Sequence, residues 1–346
     1  MKNKKILFFV SLVVVFFIVF FVSSLRSDLI RQLQGPIEGT DSVITVDDKL
    51  FVVSKRNHIY TWRWGDLSIW PVVAKPITQA VAPIAGDKII YNSSDDGRKL
   101  IITSLKADKE LASLFLPYDS ECKKIKTSQN GRYGAVSVLF KEGVQKDWFK
   151  IGRFDSDLKD ISFVFQKNTD TENFLVCDFD ITNDGNLLAG AGEKGQAWIF
   201  VKDVNTENVL WEKTFNEYNR FTSIRFSPDG KTLFVAEKVR FIVSFDSATG
   251  RTIRVFEMPL YRGRAHQKQN ISCIAVSPDG RVLAADSEPA GSIWFWDIKT
   301  GKEITSFHVS DLTIPSIAFS PDSKYLATGC MVSPEIKIWK VPQLSP

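Results

Sequence analysis

The stretch ISCIAVSPDGRVLAADSEPAGSIWFWDIKTGKEITSFH, residues 271–308, decides how this chain is read. Ile271 to Val276 reads as a first strand. Ser277-Pro278-Asp279-Gly280 follows as a tight turn, in which proline presets φ and glycine accepts a positive φ. A second strand is expected at Arg281 to Ala285 and a third at Ser292 to Trp296, ending in Trp296-Asp297. Lys299-Thr300-Gly301 then turns the chain into a fourth, Glu303 to His308. Four short antiparallel strands cannot bury both faces alone, so the unit needs like units stacked on each side.

The frame recurs at Phe221 to Phe256, with Ser227-Pro228-Asp229-Gly230, Phe245-Asp246 and Ala248-Thr249-Gly250. It recurs again at Ile314 to Val341, with Ser320-Pro321-Asp322-Ser323 and Ile338-Trp339. SPDG, then WD, then TGK at this spacing resembles the WD40 repeat, the unit of β-propellers. The resemblance covers residues 29–343 and is strongest in the last third.

Four degenerate units precede these. They run Val43 to Trp70 (turn Asp47-Asp48), Ala80 to Leu116 (Gly86-Asp87), Cys122 to Phe165 (Asn130-Gly131) and Val176 to Phe215 (Asn183-Asp184-Gly185). Turn-to-turn spacings of roughly 38 to 54 residues bracket the repeat length of this family. The expected fold is therefore all-β: a seven-bladed β-propeller of four-stranded antiparallel blades. The last unit lacks a fourth strand, and Leu29 to Leu33 can supply it, removing two free sheet edges.

The length of 346 residues and the 44% hydrophobic, 12% aromatic composition suit one large packed domain. A net charge of +4 does not by itself imply nucleic acid. Residues 1–5 carry Lys2, Lys4 and Lys5; Ile6 to Val22 is apolar except for Ser11, and with Ser23-Ser24-Leu25 the stretch reaches a length that spans a bilayer. The organisation expected is a basic segment (1–5), a transmembrane signal-anchor helix (6–25) and the propeller (26–346). A cleaved signal peptide is the alternative. The lysines place the N-terminus in the cytoplasm and the propeller outside it, in the periplasm of a Gram-negative cell.

G-x-S-x-G, H-E-x-x-H, glycine-rich phosphate loops and C-x-x-C are all absent from the sequence. His58, His266 and His308 fall in separate units, so neither a metal site nor a cofactor is expected. Cys122, Cys177, Cys273 and Cys330 fall in four different units and read as buried free thiols. Trp62, Trp64, Trp198, Trp294, Trp296 and Trp339 fall on third strands and read as inter-blade packing. The Gly-His pair usual in the family is missing, and Asp286 is the candidate for the aspartate that such a histidine would meet.

Two polar features remain. Asp178 and Asp180 alternate on one innermost strand, and Arg225 holds the position of Asp180 in the next unit. An Asp180–Arg225 ion pair lining the channel is expected, with a small-ligand or cation site as the alternative. The long connection Tyr261-Arg262-Gly263-Arg264-Ala265-His266-Gln267-Lys268 shares a rim with Lys55-Arg56 and Lys238-Val239-Arg240. Together these read either as a solvated loop or as a basic docking surface for acidic protein segments. The function expected is a membrane-anchored, non-catalytic scaffold for other proteins, without nucleic acid. The alternative is a propeller enzyme, lactonase-like or quinoprotein-like, using the central channel.

Overall fold

The computed structural model describes residues 29–34, 42–45, 50–55, 58–63, 74–76, 81–93, 96–105, 107, 109–142, 146–168, 174–194, 196–216, 220–259, 270–288, 291–309, 313–330 and 335–344. Their strands form seven four-stranded antiparallel sheets. Blade 1 comprises Ser42–Thr45, Leu50–Lys55, His58–Arg63 and Ala74–Pro76. Blade 2 lies within residues 81–115, blade 3 within 120–168, blade 4 within 174–214, blade 5 within 221–257 and blade 6 within 274–308. Blade 7 comprises Ile317–Phe319, Tyr325–Gly329 and Glu335–Lys340, and Leu29–Gln34 adds to it as the outermost strand. The first strand of each sheet contacts the first strand of the next, and Ser42–Thr45 contacts Ile317–Phe319, so the sheets close into a ring.

Chemistry visible in the sequence fixes the turns between first and second strands. Ser277 Oγ donates to Asp279 Oδ1 at 2.5 Å and accepts Val282 N–H at 2.9 Å, while Gly280 takes φ of 71°. The same arrangement appears at Ser227–Asp229, Ser320–Asp322, Thr182–Asp184 and Ser128–Asn130. Neighbouring turns also bond laterally. Ala85 N–H donates to Gly131 O (3.0 Å), Asn130 N–H to Asn183 Oδ1 (2.9 Å), Asn183 Nδ2 to Pro228 O (2.7 Å) and Asp279 N–H to Ser323 Oγ (3.0 Å). These bonds put all of those turns on one rim.

The apolar interior lies between blades rather than at one centre. Separate buried clusters join blades 2 and 3, 3 and 4, 4 and 5, 5 and 6, and 6 and 7. Aromatic side chains of fourth strands meet third strands of the next blade. Phe165 stacks on Phe200 at 4.5 Å, Phe256 meets Trp296 edge-on at 6.4 Å, and Phe307 stacks on Trp339 at 5.7 Å. Trp198, Trp294, Trp296 and Trp339 are thus packing residues, each buried and each contributing about 2 kcal/mol or more of apolar burial. Trp62 lies on a described strand, and Trp64 lies outside the described residues. In blade 1 side-chain burial is described only for Val43–Thr45; six blades carry it across two or more strands.

The N-terminal part of the fold expectation needs correcting. The described residues are all-β, and no helix among them is long and apolar enough to cross a membrane. Residues 1–28, including the apolar stretch 6–25, lie outside the described residues.

Blades also interlock at the outer turns. Trp211 Nε1 of blade 4 donates to Ser247 O of blade 5 at 2.8 Å, and its ring lies under Gly250, where a Cβ would sit 2.6 Å from Trp211. Gly86 has a comparable φ of 85° but nothing within 4 Å of a Cβ. Gly86→Ala should therefore lower stability only by the cost of strain, about 1 kcal/mol. Gly250→Ala adds a steric clash to the same strain, so its urea midpoint should fall further. Equal shifts in the two variants would show that the Trp211 contact does not constrain the turn.

Candidate functional site in the central channel

All seven innermost strands line a central cavity of about 610 Å³. The recurring turns index its wall. Two residues before each turn's leading Ser or Thr stand Lys126, Asp180 and Arg225 in blades 3, 4 and 5, but Ala275 and Ala318 in blades 6 and 7. Four residues before stand Lys124, Asp178 and Ser223, then Cys273 and Ser316. Charge is therefore confined to one side of the channel, and small side chains face it.

Asp178 is the centre of this cluster. Its side chain is 3% exposed, and it accepts Lys124 Nζ at 2.8 Å on Oδ1 and Lys126 Nζ at 2.6 Å on Oδ2. Oδ2 also accepts Ile224 N–H at 3.0 Å, Arg225 Nη1 at 3.2 Å and Ser223 Oγ at 3.3 Å. One carboxylate thus ties blades 3, 4 and 5 together. Burial alone would raise its pKa, but Lys124, Lys126 and Arg225 outweigh that and hold it far below the usual carboxylate range.

The expected Asp180–Arg225 pair is corrected by this geometry. The guanidinium reaches Asp178, and Asp180 instead accepts Phe226 N–H at 2.8 Å. Arg225 is the longer side chain, and it turns back along its own strand, donating to Ile224 O at 2.7 Å. Burial raises the pKa of Asp180. Burial, then the charges of Arg225 and Lys124, pull the Lys126 ammonium down to about 7. Lys124 and Lys126 were absent from the sequence expectation, although counting back two and four residues from Ser128 finds them.

Asp286 is fully buried in blade 6. Its Oδ1 accepts Ser272 N–H (2.7 Å) and Cys273 N–H (2.8 Å), and its Oδ2 has no partner. His266 lies outside the described residues, and His308 is exposed. The four cysteines are free, with burial pushing Cys122 up to about 12 and Cys177 up to about 11. Among the described residues there is no group of three or more His, Cys, Asp or Glu that could hold a metal.

The opposite rim carries part of the expected basic surface. Lys238 is exposed, Val239 is 40% exposed, and Arg240 adopts φ of 47°, pairing with Glu257 and stacking on Phe241 at 5.2 Å. Backbone pairing fixes this segment: Val239 bridges Asn270, Asn270 bridges Glu288, and Ile271 N–H donates to Lys238 O. Lys55 and His58 lie on described strands of blade 1, while Arg56 and residues 260–269, with Tyr261, Arg262, Arg264, His266 and Lys268, lie outside the described residues.

Comparison with known proteins agrees with this architecture. A family model described as "WD domain, G-beta repeat" matches residues 257–297 and 301–340, so these two segments carry WD repeats. The periodic tryptophan protein 2 homolog of Dictyostelium discoideum is 31% identical over 165 residues, 46% of this chain and 16% of that protein. The U3 small nucleolar RNA-associated protein 4 homolog of Homo sapiens is 26% identical over 145 residues, 41% of this chain and 20% of that protein. An uncharacterized WD repeat-containing protein of Synechocystis sp. is 30% identical over 164 residues, 45% of this chain and 42% of that protein. The chain thus spans less than half the length of each of these relatives. The β-propeller domain of Cps50 (Swd1) from Myceliophteria thermophila superposes with a TM-score of 0.68 at 15% identity, over 91% of this chain and 99% of that one. The single-pass membrane location read from residues 6–25 is withdrawn. No described helix can cross a membrane, and one relative is named for association with a small nucleolar RNA.

Two predictions follow the buried charges. Asp178→Ala leaves Lys126 buried without its counter-ion and should cost about 3–5 kcal/mol in urea unfolding; a loss below about 1 kcal/mol would mean that the blades do not depend on this carboxylate. The Asp286 carboxyl is raised to about 7 by burial, above its unfolded value. Between those two values the folded state holds the extra proton, so stability falls as pH rises through that window and stays low above it. The wild-type melting temperature should accordingly fall relative to that of Asp286→Asn between about pH 4 and about pH 7. Parallel curves for the two proteins would refute the assignment.

Proposed function

We propose that this chain is a non-catalytic, WD-repeat interaction scaffold that docks other proteins on the rim opposite the Ser-x-Asp turns. The observation that carries the reading is the rigid Lys238-Val239-Arg240 segment, held by backbone pairing on both sides and presenting a cation beside an exposed apolar side chain. A preordered surface of this kind loses little entropy on binding. Lys55, Arg56, Tyr261, Arg262, Arg264, His266 and Lys268 extend the surface in this proposal, and its sign suits acidic protein segments.

The relatives support the scaffold reading at a coarse level, since WD-repeat propellers are typically interaction platforms rather than enzymes. The name of the human relative supports a place in a larger assembly, and a protein surface within such an assembly is the partner proposed.

The test compares tagged full-length protein with the triple variant Lys238→Ala/Arg262→Ala/Arg264→Ala in quantitative affinity capture. Proteins held by the wild type should fall at least about tenfold in the variant, as expected when charged anchor residues at an interface are truncated. Recovery of the same partners at the same level from both proteins would sink the rim proposal.

A further inference from the structure

The charge cluster in the channel holds three cationic side chains beside two carboxylates. Asp178 is saturated with donors, yet three cationic side chains share its single negative charge. Asp180 is taken up by the Phe226 N–H at 2.8 Å rather than by a cation. Burial pulls the Lys126 ammonium down first, and the neighbouring charges of Arg225 and Lys124 add to it. The charged groups facing Lys126 are Asp178 and Asp180 from blade 4, Arg225 from blade 5 and Lys124 from its own strand.

Access and room are also present. Lys124 is 42% exposed and Arg225 32% exposed, and both line the cavity. Ala275 and Ala318 stand opposite at the level of Lys126 and Arg225, so the lumen before the cations is open. On the turn side Gln129 Nε2 of blade 3 reaches Val276 O of blade 6 at 3.2 Å, a bond that crosses the lumen. The freer approach is from the opposite mouth, lined by Lys123, Thr222, Ser272 and Pro315. A cavity of about 610 Å³ lies within the range that holds small molecules.

We propose that the central channel binds a small multivalent oxyanion of the phosphate class, received by Lys124, Lys126 and Arg225 on the open side of Asp178. Such a ligand would supply the negative charge that the wall lacks. Lysine acts as a point charge and arginine as a planar donor to phosphate oxygens. The proposal rests on the channel alone and stands or falls separately from docking at the rim.

The test is isothermal titration of the full chain with inorganic phosphate and, in parallel, with pyrophosphate. A saturable site with Kd below about 1 mM is expected for at least one of them. Lys124→Gln should weaken it at least about tenfold, and Lys238→Gln on the rim should leave it unchanged. Because Lys124 is the most exposed member, its variant should melt like the wild type, and a thermal melt run alongside verifies this. Arg225→Gln gives a second loss of affinity if it folds, and Lys124→Gln alone decides the matter if it does not. No heat with either anion, equal affinity in Lys124→Gln, or loss confined to Lys238→Gln would each overturn the proposal.

Discussion

A ring of sheets has no independent core, and every blade here depends on closure. A lone four-stranded blade leaves both faces and its two edges open, and only neighbours can cover the faces. Closure is made at two depths. On the outside, Leu29–Gln34 pairs with Glu335–Lys340. At the channel, Val43 N–H donates to Ser316 Oγ at 3.1 Å and Thr45 Oγ1 to Phe319 O at 2.5 Å. Aromatic pairs between fourth and third strands then carry packing from blade 3 through to blade 7, as Phe165 meets Phe200, Trp211 meets Phe245, Phe256 meets Trp296 and Phe307 meets Trp339.

The channel shows what happens when charge is placed inside such a ring. Innermost strands of neighbouring blades lie against one another along the wall. Asp178 bridges them by charge, drawing donors from both flanking blades onto one carboxylate. That clamp explains why blades 3, 4 and 5 hold polar residues where blades 6 and 7 hold alanine. Asp286 is a contrasting case: it satisfies backbone donors with one oxygen and leaves the other without a partner, and burial raises its pKa against the pull of those backbone N–H groups.

Much of this was legible in the amino-acid order. Ser-Pro-Asp-Gly encodes a turn through atoms that lie within five residues of one another, so its reading needs no tertiary information. The tryptophans of third strands were legible for a similar reason, since a large apolar side chain on a sheet between sheets has one place to go. Lateral bonds between turns, such as Asn183 with Pro228, were not legible, because they depend on the angle between blades. The Arg225 partner lies two residues along the strand from the expected one for the same reason. The register placed Arg225 level with Asp180, but a long flexible side chain spans a full two-residue step, and burial favoured the carboxylate that other cations already held. Lys124 and Lys126 went unnoticed because their blade has Ser128-Gln129-Asn130-Gly131 in place of the proline-bearing turn, which hides the frame.

The pairing of Leu29 with Trp339 also has a temporal side. On a ribosome the strand Leu29–Gln34 emerges early, while its hydrogen-bonding partner is added only after six further blades have been synthesised. The growing chain must carry an unpaired edge throughout that interval, when exposed strands are most prone to wrong association. Blades 2 to 6 can assemble from local hairpins as they appear, but the ring locks in one late, long-range step. Translation speed and chaperone occupancy while Glu335–Lys340 is being added therefore bear on whether the ring closes correctly.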